Sequence, residues 1–360
     1  MIRILRELLP PKMRHFLREI SLIRKATLRN ESFHCKALAG ESDTNISVNS
    51  DMTVSCNCQD FDGYGRIGDL NSHSLAQIFG DQTACRFRET LAQRKFPTPI
   101  CEHCAELELM PSEEVNARLS SYRVPHRGIQ IENTALCNLR CSMCDRKKIL
   151  GLRSGKHSLT LIDVEKIALI LKEYGLKSLR YYNLGEPFFS PDIQKQIEII
   201  RKYNPDIKII TLTNGQLLNG TCKIEAALSM DYIGISLDGV SQETVSKYQV
   251  GGSFDVAYQN MVKLVQERDR LTNRQTIKTP IIEWIYVLFR WNDNPKHIAK
   301  AIDLAKKANV DLIGFYRGDV RYIDRSLRWY YHPLFKQLGK KSNDCVIVNL
   351  KNIPQYLLCQ

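Results

Sequence analysis

From about residue 127 onward, apolar residues form short runs separated by segments with helical spacing. The strand-like runs are 127–132, 178–184, 207–213, 231–237, 280–289 and 311–316, and the helical segments are 161–174, 192–203, 222–229, 255–271 and 295–308. Strands that are apolar throughout and alternate with helices are typical of a parallel sheet covered by helices. Right-handed crossovers leave a doubly wound sheet or a partial barrel, with functional loops at the carboxyl ends of the strands.

Residues 31–110 have a different pattern, with few long apolar runs and with Gly, Asp, Asn, Ser and Cys at intervals. The alternation in NISVNSDMTVSC predicts a small hairpin. SLAQIF and TACRFRETLAQRK predict short helices. The apolar periodicity of this segment is too sparse to stabilise it through a core alone, and a bound metal centre would supply the missing stabilisation.

Composition narrows the protein class. The chain has 360 residues, of which 43% are hydrophobic and 25% charged, as in a globular protein of one large domain or two ordinary ones. There is no apolar run long enough for a transmembrane helix and no secretory signal, so we expect a cytoplasmic location.

Half of the net charge of +12 lies in residues 1–30. The sequence of residues 1–30 predicts a basic amphipathic helix. This helix would pack or dock against protein, or would contact a membrane surface or an acidic partner. We do not expect nucleic acid as a partner.

Nine of the twelve cysteines lie between residues 35 and 144. Their close spacing, as in Cys101-x2-Cys104 and Cys137-x3-Cys141-x2-Cys144, indicates metal ligands rather than a disulfide framework. A [4Fe–4S] cluster has one ligand for each iron, so three thiolates leave one iron open. A zinc site completed by His126 or His157, or three unrelated buried cysteines, remain the alternatives.

The triplet, with Met143 before its third cysteine, resembles the signature of the radical S-adenosylmethionine (radical SAM) superfamily. Leu184-Gly185-Glu186-Pro187 is similar to the Gly-Gly-Glu-Pro motif of that family, with leucine in place of the first glycine. Further stretches resemble SAM-binding segments of the family: Thr213-Asn214-Gly215, Ser236-Leu237-Asp238-Gly239 and YVLFRWND at 286–293. The resemblance covers residues 127–318.

The resemblance implies an α/β fold with a partial (β/α)6 barrel like that of a TIM barrel over residues 127–318. It implies a [4Fe–4S] cluster held by Cys137, Cys141 and Cys144, and SAM contacts from Met143, Gly185, Glu186, Asn214, Ser236, Asp238, Arg290 and Asn292. In that family the reduced cluster cleaves SAM to methionine and a 5′-deoxyadenosyl radical, which abstracts hydrogen from a substrate carbon. The first step requires no general base, and the sequence does not identify which further residues are catalytic.

Residues 31–110 resemble a SPASM domain, an auxiliary iron–sulfur module of many radical SAM maturases. The resemblance implies an auxiliary [4Fe–4S] cluster with ligands from Cys35, Cys56 or Cys58, Cys101 and Cys104. A zinc site with four cysteines is the alternative. The module usually follows the barrel, whereas here it precedes it. Cys85 is expected to be a small buried residue, and Cys222, Cys345 and Cys359 are unassigned, the last two in a C-terminal extension over 319–360.

The resemblance therefore implies a radical SAM enzyme of the oxidoreductase or maturase type. Its substrate would be a peptide or protein, or a small metabolite such as a sugar, and its electron donor a flavodoxin or ferredoxin. The alternative is a non-catalytic iron–sulfur protein for electron transfer or scaffolding. An enzyme that modifies nucleic acid is a third reading, suggested only by the local charge of residues 1–30.

Overall fold

A computed structural model of the chain describes residues 11–58, 60–119, 123–272, 279–318, 324–338, 340–341 and 345–354. The chain forms two compact units. The first contains the described residues as far as Asn133, together with Arg146–Asn183 and Tyr203–Ile207. The second contains Thr134–Asp145, Leu184–Lys202 and the described residues from Lys208 onward.

The first unit begins with a helix and then alternates short strands and helices. Its elements are α1 (Pro11–Leu28), β1 (Glu31–Cys35), β2 (Ser47–Val48), β3 (Thr53–Ser55), β4 (Arg66–Asp69), α2 (Leu75–Gly80), α3 (Gln82–Ala92), a 3-10 turn (Pro99–His103), β5 (Leu107–Pro111), α4 (Ser112–Arg118), β6 (Gly128–Ile131), α5 (Arg146–Leu152), α6 (Leu161–Glu173) and β7 (Ser178–Tyr181). Strands β1 and β5 pair antiparallel, as do β2 with β3 and β3 with β4. Strand β6 lies parallel to β7 on one side and to β2 on the other.

The predicted hairpin is confirmed as β2 and β3. Its turn is closed by hydrogen bonds between Asn49 and Thr53 and from the Met52 N–H to the Asn49 carbonyl, each 2.8 Å long. Both predicted short helices are confirmed as α2 and α3, each with a side-chain cap on its first turn, from Ser74 and Asp81. Because β2 pairs with β6, the cysteine-rich segment shares a sheet with the first two strands of the parallel pattern. The domain boundaries expected near 110 and 127 remain a prediction.

The second unit carries the remaining parallel strands. Its elements are α7 (Ile193–Tyr203), β8 (Lys208–Thr213), α8 (Thr221–Leu228), β9 (Tyr232–Ser236), α9 (Gln242–Ser246), α10 (Phe254–Leu271), β10 (Ile281–Leu288), α11 (Pro295–Lys307), β11 (Leu312–Arg317), α12 (Arg328–Tyr331), α13 (Leu334–Gln337), β12 (Lys340–Lys341) and β13 (Cys345–Asn349). Strands β8, β9, β10 and β11 pair parallel in that order. Strand β13 pairs antiparallel with β11, and β12 with β13.

All six strands and five helices predicted from residue 127 onward are confirmed to within a few residues. The molecule is therefore an α/β protein whose strands are mostly parallel. The strand β13 was not predicted and comes from the expected C-terminal extension, with Cys345 opposite Tyr316. Residues 1–10 and Cys359 lie outside the described residues. Over the described part of the chain, no helix combines the length and apolar character needed to cross a membrane.

Candidate functional site

The cysteine triplet lies on the loop Thr134–Asp145 of the second unit. Two backbone hydrogen bonds fix this loop to the segment after α9: the Arg140 N–H donates to the Val250 carbonyl and the Ser142 N–H to the Tyr248 carbonyl, both at 2.9 Å. Cys137, Cys141 and Cys144 are all half-buried. The loop conformation is therefore held by backbone contacts while the three thiols stay partly accessible.

The electrostatic surroundings of the triplet oppose thiolates that have no bound cation. Burial, together with the nearby charges of Cys144, Asp238 and Cys137, raises the pKa of Cys141 to about 12. Around Cys137 the hydrogen-bond donors favour a thiolate, since the Leu139 N–H lies 3.3 Å and the Asn214 Nδ2 3.7 Å from its sulfur. Such a group of thiols is stabilised as thiolates when it holds a metal.

Gly185 brings the Gly-Glu-Pro motif against the start of the triplet loop. A Cβ at Gly185 would lie only 1.9 Å from the Thr134 carbonyl oxygen, so no other residue fits without displacing the backbone. The Glu186 N–H then donates to the Leu136 carbonyl at 2.8 Å. Leu184, which replaces the first glycine of the motif, is half-buried beside it.

Glu186 connects this motif to the end of β8. Its buried carboxylate accepts hydrogen bonds from Thr213 Oγ1 at 2.7 Å, the Asn214 N–H at 2.8 Å and the Phe188 N–H at 3.2 Å. Burial raises the pKa of Glu186, and the three hydrogen bonds oppose that shift. Asn214 in turn donates from Nδ2 to Asn138 Oδ1 at 2.9 Å. The motifs after β7 and β8 and the triplet loop are thus joined by direct contacts.

The ends of β9 and β10 are joined in the same way. Asp238 Oδ1 accepts from the Val287 N–H at 2.7 Å, and burial raises the pKa of Asp238 to about 7. Asn292 is fully buried and donates to the carbonyls of Asp238 and Val287 at 2.9 and 3.0 Å. Its amide therefore fixes the backbone around Asp238, and its predicted contact with SAM remains a prediction.

The other residues predicted to contact SAM are more exposed than Glu186, Asp238 and Asn292. Met143 is half-buried within the triplet loop, Ser236 is half-buried at the end of β9, and Arg290 is exposed just after β10. The sequence did not single out Gln249, which is 4% exposed. Its side chain bridges the Ser236 carbonyl and the Asp238 N–H at 2.9 and 3.0 Å, in the segment that also fixes the triplet loop. A glutamine in a polar stretch gives no signal of such a role in sequence.

The predicted auxiliary cysteines lie in the first unit. Cys35, Cys56, Cys101 and Cys104 line one narrow cavity together with apolar side chains that include Phe87, Leu91 and Ile100. Cys35 ends β1, Cys56 follows β3, and the other two belong to the 3-10 turn and its C-terminal end. The fold therefore brings cysteines from segments that are far apart in sequence to the walls of one buried cavity.

Burial raises the pKa of each of these four thiols, to about 12 for Cys35 and about 11 for Cys104. Asn45 Nδ2 donates to the Cys104 sulfur at 3.3 Å, and Thr98 Oγ1 lies 3.2 Å from the Cys101 sulfur. None of the eleven described cysteines forms a disulfide. Within the described ranges, no three His, Cys, Asp or Glu side chains form a group suited to a single metal ion.

Three further cysteines belong to neither group, although Cys58 is close enough to Cys104 for its charge to raise the pKa of Cys104. Cys58 does not line the cavity of the four cysteines. Cys85 is half-buried on α3, where its sulfur accepts a hydrogen bond from Arg88 Nη2 at 3.2 Å, so it is less buried than expected. Cys222 is exposed on α8.

Comparison with known proteins identifies the family to which the chain is similar. Residues 131–318 match the radical SAM superfamily. A probable GTP 3′,8-cyclase of Methanothermobacter thermautotrophicus is 30% identical over 124 residues, which are 33% of this chain and 38% of that protein. A GTP 3′,8-cyclase of Helicobacter pylori is 23% identical over 213 residues, 59% of this chain and 60% of that protein. The chain thus spans less than two thirds of the length of either relative.

Among solved structures, native anSMEcpe with bound AdoMet covers 54% of each chain at 18% identity, with a TM-score of 0.37. Methylornithine synthase (PylB) covers 77% of this chain and 65% of its own at 11% identity, with a TM-score of 0.36. The family match, which spans more than half of the sequence, and the relatives named as cyclases indicate an enzyme. The chain belongs to the radical SAM superfamily.

Proposed function

We propose that the second unit binds a [4Fe–4S] cluster through Cys137, Cys141 and Cys144, binds SAM at the open iron, and cleaves SAM reductively. The observation that carries this proposal is the set of direct contacts joining the triplet loop to Glu186 and Asn214. Four segments with the family's motifs thereby converge at the carboxyl ends of parallel strands, where α/β proteins place their active sites.

The donor set fits such a cluster. The charges of Cys137 and Cys144 both act on the Cys141 thiol, so the three side chains lie near one another. Two N–H donors, from Leu139 and Asn214, are directed at the Cys137 sulfur. Thiolates that bind one tetrahedral zinc lie about 4 Å apart because each Zn–S bond is about 2.3 Å long. A cluster spaces its ligands more widely, since each thiolate binds a different iron.

When bound, the reduced cluster supplies the electron that cleaves SAM to methionine and a 5′-deoxyadenosyl radical. The residues of this chain position the reactants. Gly185 permits the close approach of two backbone segments, and Glu186 and Asn292 fix the loops that would surround SAM. Holding SAM and the substrate carbon in one geometry replaces a bimolecular encounter with a positioned reaction.

We infer that hydrogen abstraction then modifies a substrate carbon, with a flavodoxin or ferredoxin as the electron donor. The substrate classes that follow from the sequence resemblance are a peptide or protein, or a small metabolite such as a sugar. The relatives named GTP 3′,8-cyclase make a purine nucleotide a third class to test.

We further propose that Cys35, Cys56, Cys101 and Cys104 hold an auxiliary [4Fe–4S] cluster in a SPASM-like module. Four cysteines lining one cavity supply a full ligand set, so no iron would stay open for SAM. Cys56 is preferred to Cys58 because Cys56 lines that cavity and Cys58 does not. The hydrogen bonds at Cys101 and Cys104 would stabilise the thiolates.

The open cluster is tested by electron paramagnetic resonance of the anaerobically reconstituted and reduced protein. We expect SAM to change the spectrum of the reduced cluster in the unaltered chain and in Cys222→Ala, because Cys222 is exposed and outside both groups. Cys144→Ala is expected to lose the SAM-dependent change. A spectrum that SAM leaves unaltered in all three proteins contradicts the proposal.

The auxiliary cluster is tested by counting iron and acid-labile sulfide. The unaltered chain should bind about eight irons, as two four-iron clusters require. Cys56→Ser should lower the count to about four, while Cys58→Ser should leave about eight. Equal loss in both variants contradicts the assignment of Cys56, and about four irons in the unaltered chain contradicts the auxiliary cluster.

A further inference from the structure

The first unit contains a second, larger cavity that the radical SAM reaction does not use. It has a volume of about 380 Å³, within the range of small-molecule sites. Its polar lining consists of His34, Glu41, Arg88, Arg118 and Arg123. We call it the His34 cavity.

His34 is the buried polar group of this cavity. It is 8% exposed, and its Nε2 atom has no hydrogen-bond partner. The nearest carboxylate oxygen, Glu41 Oε2, lies 3.8 Å away, which is beyond hydrogen-bonding distance. A buried ring nitrogen without a partner is costly, and a bound polar ligand would satisfy it.

The charged lining of the His34 cavity favours an anion. Its lining includes three arginines, Arg88, Arg118 and Arg123, and one acidic residue, Glu41. Arg88 is 8% exposed and is oriented by the carbonyl oxygens of Leu38 and Phe79, at 3.4 and 3.0 Å. Arg118 is 41% exposed and lies at the rim, with its guanidinium 3.7 Å from the Glu41 carboxylate and 2.7 Å from the Glu114 carboxylate. Guanidinium groups bind carboxylates and phosphates through paired donors.

The position of Arg123 at the rim is fixed by the backbone. The Arg123 N–H donates to the Ala39 carbonyl at 3.3 Å. Gly40 has a φ of +75°, and a Cβ there would lie 2.2 Å from the Arg123 carbonyl oxygen. The turn after β1 and the segment at Arg123 can therefore approach each other only because residue 40 is glycine.

The remaining walls are apolar, formed by Phe33, Ala39, Leu91, Val115 and Leu119. An inorganic anion would leave these walls uncovered, whereas a ligand with an apolar body would cover them. Cys35 and Leu91 line both this cavity and the narrow cavity of the four cysteines. A ligand here would therefore lie beside the auxiliary thiols.

We propose that the His34 cavity binds a small organic carboxylate with an apolar body. The carboxylate faces the arginines of the rim, His34 Nε2 bonds a polar atom of the ligand, and the apolar body lies against Phe33 and Val115. The binding itself does not depend on SAM cleavage or on either cluster. Failure of this proposal therefore leaves the proposed function standing.

The test is isothermal titration calorimetry of the full, reconstituted chain with three probes. The first is 3-phenylpropionate, the second its neutral amide, and the third inorganic phosphate. We expect 3-phenylpropionate to bind, with the amide and phosphate each at least tenfold weaker. Absence of binding by 3-phenylpropionate, or phosphate binding as tightly, overturns the proposal.

Two variants locate the site, and a third serves as a control. The double variant Arg118→Ala/Arg123→Ala should weaken the binding of 3-phenylpropionate at least tenfold. Arg29→Ala, at an exposed position that precedes β1 in the sequence, should leave this binding unchanged. Ala39→Leu fills the cavity without changing charge and should weaken binding to a similar extent. Unchanged affinity in both the double variant and Ala39→Leu overturns the proposal, and far-ultraviolet circular dichroism checks that each variant is folded.

Discussion

At the scale of single residues, the candidate site depends on groups whose types were predicted but whose partners were not. Gly185 belongs to a motif that can be recognised in the sequence. The structure shows why a glycine is needed there, because the Thr134 backbone oxygen from a different loop occupies the space that a Cβ would take. Glu186 was predicted to contact SAM, which stays a prediction, and its carboxylate accepts three hydrogen bonds from the protein. A motif in sequence identifies the residue, but its contacts depend on loops brought together by the fold.

We predict that Glu186→Gln lowers both stability and SAM cleavage. A glutamine amide would direct an N–H group at one of the fixed backbone donors, Asn214 or Phe188, and leaving a buried donor without an acceptor costs about 1–3 kcal/mol. We expect a lower urea midpoint and at least tenfold less 5′-deoxyadenosine. Glu198→Gln, an exposed position on α7, is the matched control. Equal midpoints and equal product in the two variants would disprove the role assigned to Glu186.

At the scale of elements, periodicity was sufficient for the strands and helices from residue 127 onward. It was insufficient for pairings between short or distant segments, such as β1 with β5 or β13 with β11.

The run PIIEWIYVLF predicted a strand correctly but gave no account of the glutamate inside it. Glu283 is 1% exposed and accepts hydrogen bonds from Tyr232 at 2.5 Å and Tyr316 at 2.7 Å. These partners lie on the neighbouring strands β9 and β11, so only the strand order brings them together.

The burial of Glu283 predicts a pH dependence of stability. Burial raises its pKa from the usual 4.5 to about 7. Between these values the folded state binds a proton that the unfolded state has lost, so stability falls as pH rises and levels off above about pH 7. From pH 5.5 to pH 7 this single group should lower the free energy of unfolding by about 2 kcal/mol.

The measurement is urea unfolding of the full chain at pH 5.5, 6.2, 7 and 8. The Glu283→Gln variant cannot ionise at this position, and its stability should fall less over the same range by about that amount. Parallel pH profiles for the two proteins would show that Glu283 does not titrate as the structure implies.

At the scale of the whole molecule, the sequence assigned most cysteines to two groups, and the structure collects each group within one compact unit. The ambiguity between Cys56 and Cys58 could not be resolved from spacing, because both follow β3 within three residues. In the structure Cys56 lines the narrow cavity and Cys58 does not, and which of them is a ligand stays a prediction. The His34 cavity was not predicted either, because its lining residues between 33 and 123 have no motif in common.

The most direct test of the central claim is reductive SAM cleavage by the reconstituted protein. Dithionite and SAM are added anaerobically, and 5′-deoxyadenosine is measured for the unaltered chain, Cys141→Ala and Cys222→Ala. The account predicts product from the unaltered chain and from Cys222→Ala at similar rates, and none above background from Cys141→Ala. Equal product from Cys141→Ala and the unaltered chain would contradict the claim that the triplet holds the cluster that cleaves SAM.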